Sequence, residues 1–272
     1  MMNMTDPVKQ LLIINVLFFI GTYIVGEQVA YKVLALHSPL NNDFKFWQPI
    51  THMFMHGGLM HIFFNMFALV SFGSLLERLW GAKKFLFFYF SCGLGAAALH
   101  MGVNYWEIHT IINEVSYVNM PDETIRQILN APFTDGMYYR ADMFLKEIQP
   151  IVENAEKTNV FDQNAFDQLF KAAALNQTPA VGASGAIYGL LVAFAFIAPN
   201  AELMMMFIPI PIKAKYFVPA LIALDMYLGV TGKSLFGSGG GVAHFAHIGG
   251  ALIGFIMMWY WKKNSFNNKR WN

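Results

Sequence analysis

The sequence predicts an all-α polytopic membrane protein: a six-transmembrane-helix bundle with a polar, helical segment inserted on its outer side. Hydrophobic residues occupy 56% of the 272 positions and charged residues only 13%, whereas about a quarter of the residues in soluble domains are charged. Six apolar runs each approach the roughly 20 residues that cross a bilayer core. The stretch between the third and fourth runs is polar and acidic, so we expect it outside the membrane.

Each apolar run predicts one membrane helix. The first, residues 9–26, is not followed by a small-x-small cleavage pattern, so we predict an uncleaved helix rather than a signal peptide. The fourth run is the shortest, which suits a helix that begins below the membrane surface. The five runs after the first cover residues 59–76, 85–105, 183–198, 216–232 and 243–261.

Basic residues in the short loops predict the orientation. Lys and Arg are concentrated in the 77–84 connection, in the 199–215 connection and in the C-terminal tail. Because such loops remain on the inner side of a membrane, both termini are expected in the cytoplasm. We therefore predict a multi-pass protein of a bacterial inner membrane, in contact with the lipid bilayer. The net charge of +1 provides no basic patch for nucleic acid.

The inserted segment covers residues 105–178. From residue 106 onward it carries 11 Asp or Glu against 5 Lys or Arg, and apolar residues recur at helical spacing in Ile125-Ile128-Leu129 and Phe161-Phe166-Leu169-Phe170. We expect a mostly helical cap or spacer, with a role in substrate gating or partner binding as the alternative. The segment divides the membrane core into residues 8–104 and 179–262, and a cytoplasmic tail follows at 263–272.

Two connections in the second half of the chain have their own signals. Residues 199–215 are apolar but contain several prolines, which disfavour a spanning helix. We predict that this segment lies along the cytoplasmic interface. The glycines between Gly237 and Gly241 predict a flexible outer loop before the last helix.

A serine and a histidine are the candidates for nucleophilic catalysis. Ser184 starts the fourth predicted helix and His247 lies about one turn inside the sixth, both counted from the outer side, so they share a depth. A serine hydroxyl needs a neighbouring base to accept its proton. Small residues at i,i+4 spacing let helix backbones approach closely. Such pairs flank both candidates: Gly185 with Gly189, and Gly250 with Gly254.

Three further side chains are predicted beside this pair. His61 and Asn65 are spaced i,i+4 at the outer start of the second helix, so both point one way at the depth of Ser184. Both are hydrogen-bond donors suited to an oxyanion. Tyr188 is one turn below Ser184 and is expected to pack against the imidazole of His247. Singly, each polar residue is typical of interhelical bonding; together they favour a site.

No metal or other cofactor is predicted. The histidines at 52, 56, 61, 244 and 247 match no H-E-x-x-H pattern, and no carboxylate is expected near them. Asp225 is placed midway along the fifth helix, where a structural role is expected for it. Its predicted mid-bilayer depth argues against its extending the Ser184–His247 pair to a triad.

The motifs resemble those of one family of membrane enzymes. Gly182-Ala183-Ser184-Gly185 is not the G-x-S-x-G elbow, and no strand precedes it, which excludes an α/β-hydrolase. It resembles the G-x-S-G motif of the rhomboid intramembrane serine proteases. The remaining parts of the resemblance are His61-Ile62-Phe63-Phe64-Asn65, Ala246-His247-Ile248-Gly249-Gly250, the first loop from Phe46 to His56, and the segments Pro199-Asn200-Ala201 and Ile212-Lys213-Ala214-Lys215. The inserted segment departs from typical bacterial members.

The resemblance implies a serine endopeptidase that cuts transmembrane protein substrates near the outer ends of their spans. It implies Ser184 as nucleophile and His247 as general base and acid, without an aspartate. The backbone N–H of Ser184, with His61 and Asn65, would form the oxyanion hole. The fifth helix or the 233–242 loop would be the gate. Supporting roles fall to Tyr188, Gly182, Gly185 and Gly250.

Two other functions fit parts of the sequence. A catalytically silent rhomboid-like binder of membrane proteins would use the same fold, although such proteins typically lose the serine or the histidine, and both are present here. A small-solute channel or transporter is favoured only by Asp225, and the chain has no repeated broken helices of the usual kind.

Overall fold

Helices form nearly all of the secondary structure in the computed structural model, which describes residues 4–135, 138–155, 161–205, 208–232 and 241–267. The elements in chain order are α1 (Asp6–Val25), α2 (Glu27–Leu34), α3 (Gln48–Thr51), a 3₁₀ turn (His52–Phe54), α4 (Leu59–Ala68), a π-helical turn (Leu69–Gly73), α5 (Ser74–Trp80), α6 (Ala82–Glu114), a 3₁₀ turn (Ser116–Val118), α7 (Asp122–Leu129), α8 (Ala141–Glu153), α9 (Gln163–Gln177), α10 (Ser184–Ile197), β1 (Glu202–Met205), β2 (Ile208–Lys213), α11 (Ala214–Thr231) and α12 (Gly241–Asn267).

Helices occupy all six predicted apolar runs, and the all-α membrane fold is confirmed. Among the described residues, four helices are long and apolar enough to cross a membrane: Asp6–Val25, Leu59–Trp80, Ala82–Glu114 and Ala214–Thr231. The second of these joins α4, the π-helical turn and α5 into one continuous span. α10 is shorter, at 14 residues, as the length of its apolar run predicts, and α12 has 27 residues.

One compact unit contains the membrane helices. It comprises residues 1–25, 49–100 and 181–272. α10 lies at its centre, because nine of its 14 residues are buried and it packs against α4, α5, α11 and α12. The outer helices instead expose large apolar side chains such as Leu17, Ile24 and Val230. A helix that shows such residues outward is suited to lipid contact, so the bundle has a protein-buried helix surrounded by lipid-facing ones.

The second compact unit comprises residues 26–48 and 101–180. Its helices are α2, the distal part of α6, and α7 to α9; the inserted residues are thus mostly helical, and α6 continues nine residues beyond the predicted end at 105. The core of the unit includes Ile128, Phe144 and Leu169, each fully buried. Residues 26–48 join it partly through a two-way backbone bridge, Leu36 N–H to Ala180 O and Ala180 N–H to Leu36 O.

The proline-containing segment 199–215 forms a small antiparallel hairpin rather than a helix. β1 pairs with β2 so that Glu202 lies opposite Lys213 and Leu203 opposite Ile212. β2 has one partner strand in the described part of the chain, and proline is tolerated where a strand edge needs no N–H donor. Residues 233–240 and 268–272 lie outside the described part of the chain. They include nearly all of the predicted gate loop 233–242, the predicted glycine loop up to residue 240, and the end of the predicted tail.

Candidate active site

Ser184 and His247 are in direct contact. Ser184 is the first residue of α10, and its Oγ lies 2.9 Å from Nε2 of His247 on α12. The turn before the serine depends on Gly182, whose φ of +126° lies in the left-handed region that favours glycine. The N–H of Gly182 donates to the carbonyl of His52 at 2.9 Å. This turn therefore places the Ser184 hydroxyl at the first residue of a buried helix.

The close approach of α10 and α12 brings the two side chains together. A Cβ added at Gly250 would collide with the backbone carbonyl of Gly185, and one added at Gly254 would lie 2.8 Å from Cα of Gly189. A Cβ at Gly189 would in turn collide with Cys92 of α6. Backbones pack at this distance only where side chains are missing, so the two glycine pairs bring the helices into contact beside Ser184.

Tyr188 covers one face of the His247 ring. The two rings are stacked, with centroids 4.3 Å apart and planes inclined by 11°. The Tyr188 hydroxyl donates a hydrogen bond to Oδ2 of Asp225. Tyr188 thus contacts the histidine by its ring and the aspartate by its hydroxyl.

Asp225 lies beside His247, which corrects the prediction that depth would separate them. Its Oδ1 is 3.3 Å from His247 Nδ1. Asp225 precedes the end of α11 at Thr231 by six residues, and His247 follows the start of α12 at Gly241 by six. At 1.5 Å per residue, both lie about 9 Å from the helix ends that the 232–240 connection joins. The prediction placed His247 too shallow, because α12 begins before the apolar run does.

His244 is a second histidine in this cluster, and the sequence analysis assigned it no role. Its Nδ1 lies 2.5 Å from the same Asp225 Oδ1. His244 and His247 are spaced i,i+3, which places both on one face of a helix. That spacing, opposite the single acidic residue of α11, was the sequence signal that could have identified the cluster.

Asp225, His244 and His247 also form the one group in the described part of the chain with metal-ligand geometry. One ligand atom from each lies within 4.8 Å of the others, so the premise that no carboxylate lies near these histidines was wrong. Two imidazoles and a carboxylate are a donor set that suits zinc. In the described arrangement the same atoms hydrogen-bond to one another.

His61 lies on the other side of Ser184. A Cβ added at Gly182 would be 2.8 Å from His61 Nε2 and 3.4 Å from Ser184 Oγ, so both atoms border the small space beside the Cα of Gly182. The N–H of Gly57 donates to His61 Nδ1 at 3.3 Å. This bond assigns the ring proton to Nε2, which makes the atom facing that space a donor.

Asn65 is buried, with 6% of its surface exposed, and its Nδ2 has no hydrogen-bond partner among the described residues. It is one of ten buried side-chain nitrogen and oxygen atoms without a partner in the described part of the chain, and it lies on the same helix face as His61. Asn65 therefore has an amide donor that the described residues do not use.

His56 contacts His61 from the loop before α4. The two rings meet edge to face with centroids 5.0 Å apart. Burial, with a smaller contribution from the neighbouring His61, lowers the pKa of His56 to about 3. His56 is therefore neutral at physiological pH and places no positive charge beside the donors of the site.

Comparison with known proteins gives a consistent family. The Rhomboid domain matches residues 43–107 and 161–264, more than half of the chain. An uncharacterized mitochondrial rhomboid protein of Schizosaccharomyces pombe is 25% identical over 234 residues, which are 81% of this chain and 53% of that protein. Rhomboid protein 1 of Saccharomyces cerevisiae mitochondria is 32% identical over 85 residues, 31% of this chain and 23% of that one.

A third relative, rhomboid-like protein 15 of Arabidopsis thaliana, is 35% identical over 78 residues, 29% of this chain and 19% of that protein. The chain thus spans between a fifth and about half of the length of these curated relatives. Between its two matched parts the domain leaves residues 108–160 unmatched, and these fall within the inserted segment. The fold, the motifs around Ser184 and His247, and the domain match together assign this chain to the rhomboid family.

Proposed function

We propose that this protein is an intramembrane serine endopeptidase that hydrolyses peptide bonds at or near the transmembrane segments of other membrane proteins. The observation that carries the proposal is the 2.9 Å contact between Ser184 Oγ and His247 Nε2. It joins a nucleophile and a base inside a bundle of apolar helices. The substrates that reach the serine and histidine are therefore membrane proteins, and the reaction is hydrolysis of a peptide bond within the bilayer.

In the proposed mechanism His247 Nε2 accepts the Ser184 proton as Oγ attacks the scissile carbonyl. Three donors then face the oxyanion: the Ser184 backbone N–H, His61 Nε2–H and Asn65 Nδ2. The first is available because N–H groups in the first turn of a helix lack partners within it. The last is supported by its unpaired state. The imidazolium returns its proton to the leaving amine, and water releases the acyl group by the same route.

Substrate access is consistent with the exposure of the pair. The His247 side chain is 22% exposed, so water and a peptide can reach a base that most of the bundle covers. By family resemblance, α11 or the 233–242 loop would form the gate. One relative, from Toxoplasma gondii, is named rhomboid-like protease 3, which supports the proposed protease activity.

The topology is also a proposal. Basic loop residues support a common inner side for both termini. Three relatives are named as mitochondrial proteins and none of these three as bacterial, so they do not support the prediction of a bacterial inner membrane. The multi-pass membrane location itself follows from the family and from the apolar helices.

Cleavage of a transmembrane reporter substrate in proteoliposomes tests the proposal. Ser184→Ala and His247→Ala should each abolish cleavage, whereas Ser74→Ala should not. Ser74 is a matched control because it is a buried serine of the same bundle whose hydroxyl has no partner among the described residues. Ser184-dependent labelling by a fluorophosphonate probe would separate the protease from a silent binder. Normal cleavage by a folded Ser184→Ala protein would refute the proposal.

A further inference from the structure

We propose that Asp225 is a positioning residue for His247, so that the reactive group of this protein is a serine–histidine–aspartate series held by a second histidine. The inference rests on the proposed protease function. It differs from the dyad that the family resemblance implies, because the aspartate of α11 contacts the base directly.

The carboxylate determines which ring nitrogen of His247 carries the proton. An ionised carboxylate only accepts hydrogen bonds, so the nitrogen that faces Asp225 Oδ1, Nδ1 at 3.3 Å, must be the donor. The opposite nitrogen, Nε2, then carries the lone pair, and it is the atom 2.9 Å from Ser184 Oγ. This is the tautomer that a general base requires. The same carboxylate stabilises the imidazolium that forms when the serine proton is transferred.

Burial favours this role over that of a simple interhelical contact. Asp225 is 5% exposed in an apolar spanning helix, where a carboxylate is costly unless it is paired. The Tyr188 hydroxyl and His244 already supply donors to its two oxygens. The third contact is with His247, whose ring touches Ser184, and Tyr188 also stacks on that ring. Tyr188 of α10 thus contacts both Asp225 and His247.

His244 holds the carboxylate in place. Its Nδ1 is 2.5 Å from Oδ1, closer than the Nδ1 of His247 at 3.3 Å. Asp225 is therefore shared, and its effect on His247 should be smaller than that of an aspartate bonded to the catalytic histidine alone. In a dedicated triad, loss of the carboxylate costs about 10⁴-fold in kcat; here we expect about 100-fold.

The test uses Asp225→Asn, which keeps the shape of the side chain but places an amide donor beside His247. We expect kcat on a reconstituted transmembrane substrate to fall about 100-fold with KM changed less than about twofold, and fluorophosphonate labelling of Ser184 to slow in parallel. Asn15→Leu is the control: it removes a buried polar side chain of α1 that bonds only locally, to the Leu11 carbonyl. It should retain wild-type kcat.

A pair of His244 variants gives an independent measurement. His244→Asn places an amide N–H near the position of Nδ1 and keeps a donor for Asp225, whereas His244→Leu removes the donor. We expect His244→Asn to retain at least about threefold more kcat than His244→Leu, as one hydrogen bond of about 1 kcal/mol allows. A purely space-filling role for residue 244 would give the opposite order, since leucine fills an apolar site better.

The outcomes separate this inference from the proposed function. If Ser184→Ala abolishes cleavage while Asp225→Asn keeps wild-type kcat, the positioning role is wrong and the protease stands. If Ser184→Ala cleaves normally, the proposed function itself is wrong. If Asp225→Asn does not fold, the His244 pair decides, and equal kcat in its two members overturns the inference.

Discussion

A methyl group added at Gly250 should separate the nucleophile from its base. The Cβ of Gly250→Ala would collide with the Gly185 carbonyl oxygen and lie 2.6 Å from its carbonyl carbon. Ordinary Cβ contacts begin near 3.4 Å, so by the carbon distance alone the backbones of α10 and α12 must separate by at least about 0.8 Å. The hydrogen bond between Ser184 and His247, 2.9 Å long, would then exceed 3.5 Å if the shift passed directly to the side chains.

The expected loss follows from that displacement. A misplacement of about 1 Å costs roughly 100-fold in rate, and overpacking a filled interior costs about 1–3 kcal/mol of stability. We therefore expect kcat of Gly250→Ala to fall about 100-fold, with slower fluorophosphonate labelling of Ser184 and earlier thermal unfolding in detergent micelles. KM should change little, because substrate contacts away from the reacting atoms are retained.

Gly21→Ala is the matched control for this substitution. Gly21 also lies in a spanning helix, α1, but an added Cβ meets nothing within 4 Å. It should keep wild-type kcat and unfold no earlier than wild type, because alanine is the better helix former by about 1 kcal/mol. Wild-type kcat and labelling in Gly250→Ala would show that the α10–α12 approach does not position the pair, which would refute the reasoning.

Three further predictions follow from the site. Asn65→Leu should lower kcat about 100- to 1000-fold with little change in KM, as expected when one oxyanion donor is lost; unchanged kcat would exclude Asn65 from the oxyanion hole. Incubation with EDTA should leave cleavage unchanged, because the Asp225 cluster acts through hydrogen bonds in the proposed mechanism; loss of activity that added Zn²⁺ restores would contradict it. The protein should lose about 2 kcal/mol of stability between pH 6.5 and pH 5 because of His56. The folded pKa of His56, about 3, lies below its unfolded value, so only the unfolded chain binds the proton in this pH range. His56→Gln should remove that loss in pH-dependent thermal unfolding, and an unchanged loss would exclude His56 as its source.

The local part of the fold was predictable because hydropathy acts over neighbouring residues. Each apolar run became a helix, and the short run at 183–198 became the short α10. The periodic apolar residues of the inserted segment were equally informative, since Ile128 and Leu169 are buried in the core of the second unit. Hairpin formation by residues 202–213 was not predicted, because prolines exclude a helix without specifying a strand partner.

The grouping of distant segments into one compact unit is visible only in the folded structure. Residues 26–48 belong to the same compact unit as residues 101–180, although more than 50 residues separate them in sequence. The backbone bridge between Leu36 and Ala180 carries no composition signal, because main-chain N–H and C=O groups are the same at every non-proline residue.

The sequence by itself determined the family motifs and the apolar helices, and it predicted Ser184, His247, His61 and Asn65 as the polar residues of one site. Motifs and hydropathy are local properties, so they can be read without knowing how the helices pack. The partners of His247 were decided only by tertiary structure. Asp225 and His244 lie on two different helices, and α12 begins at Gly241, two residues or about 3 Å before the predicted run.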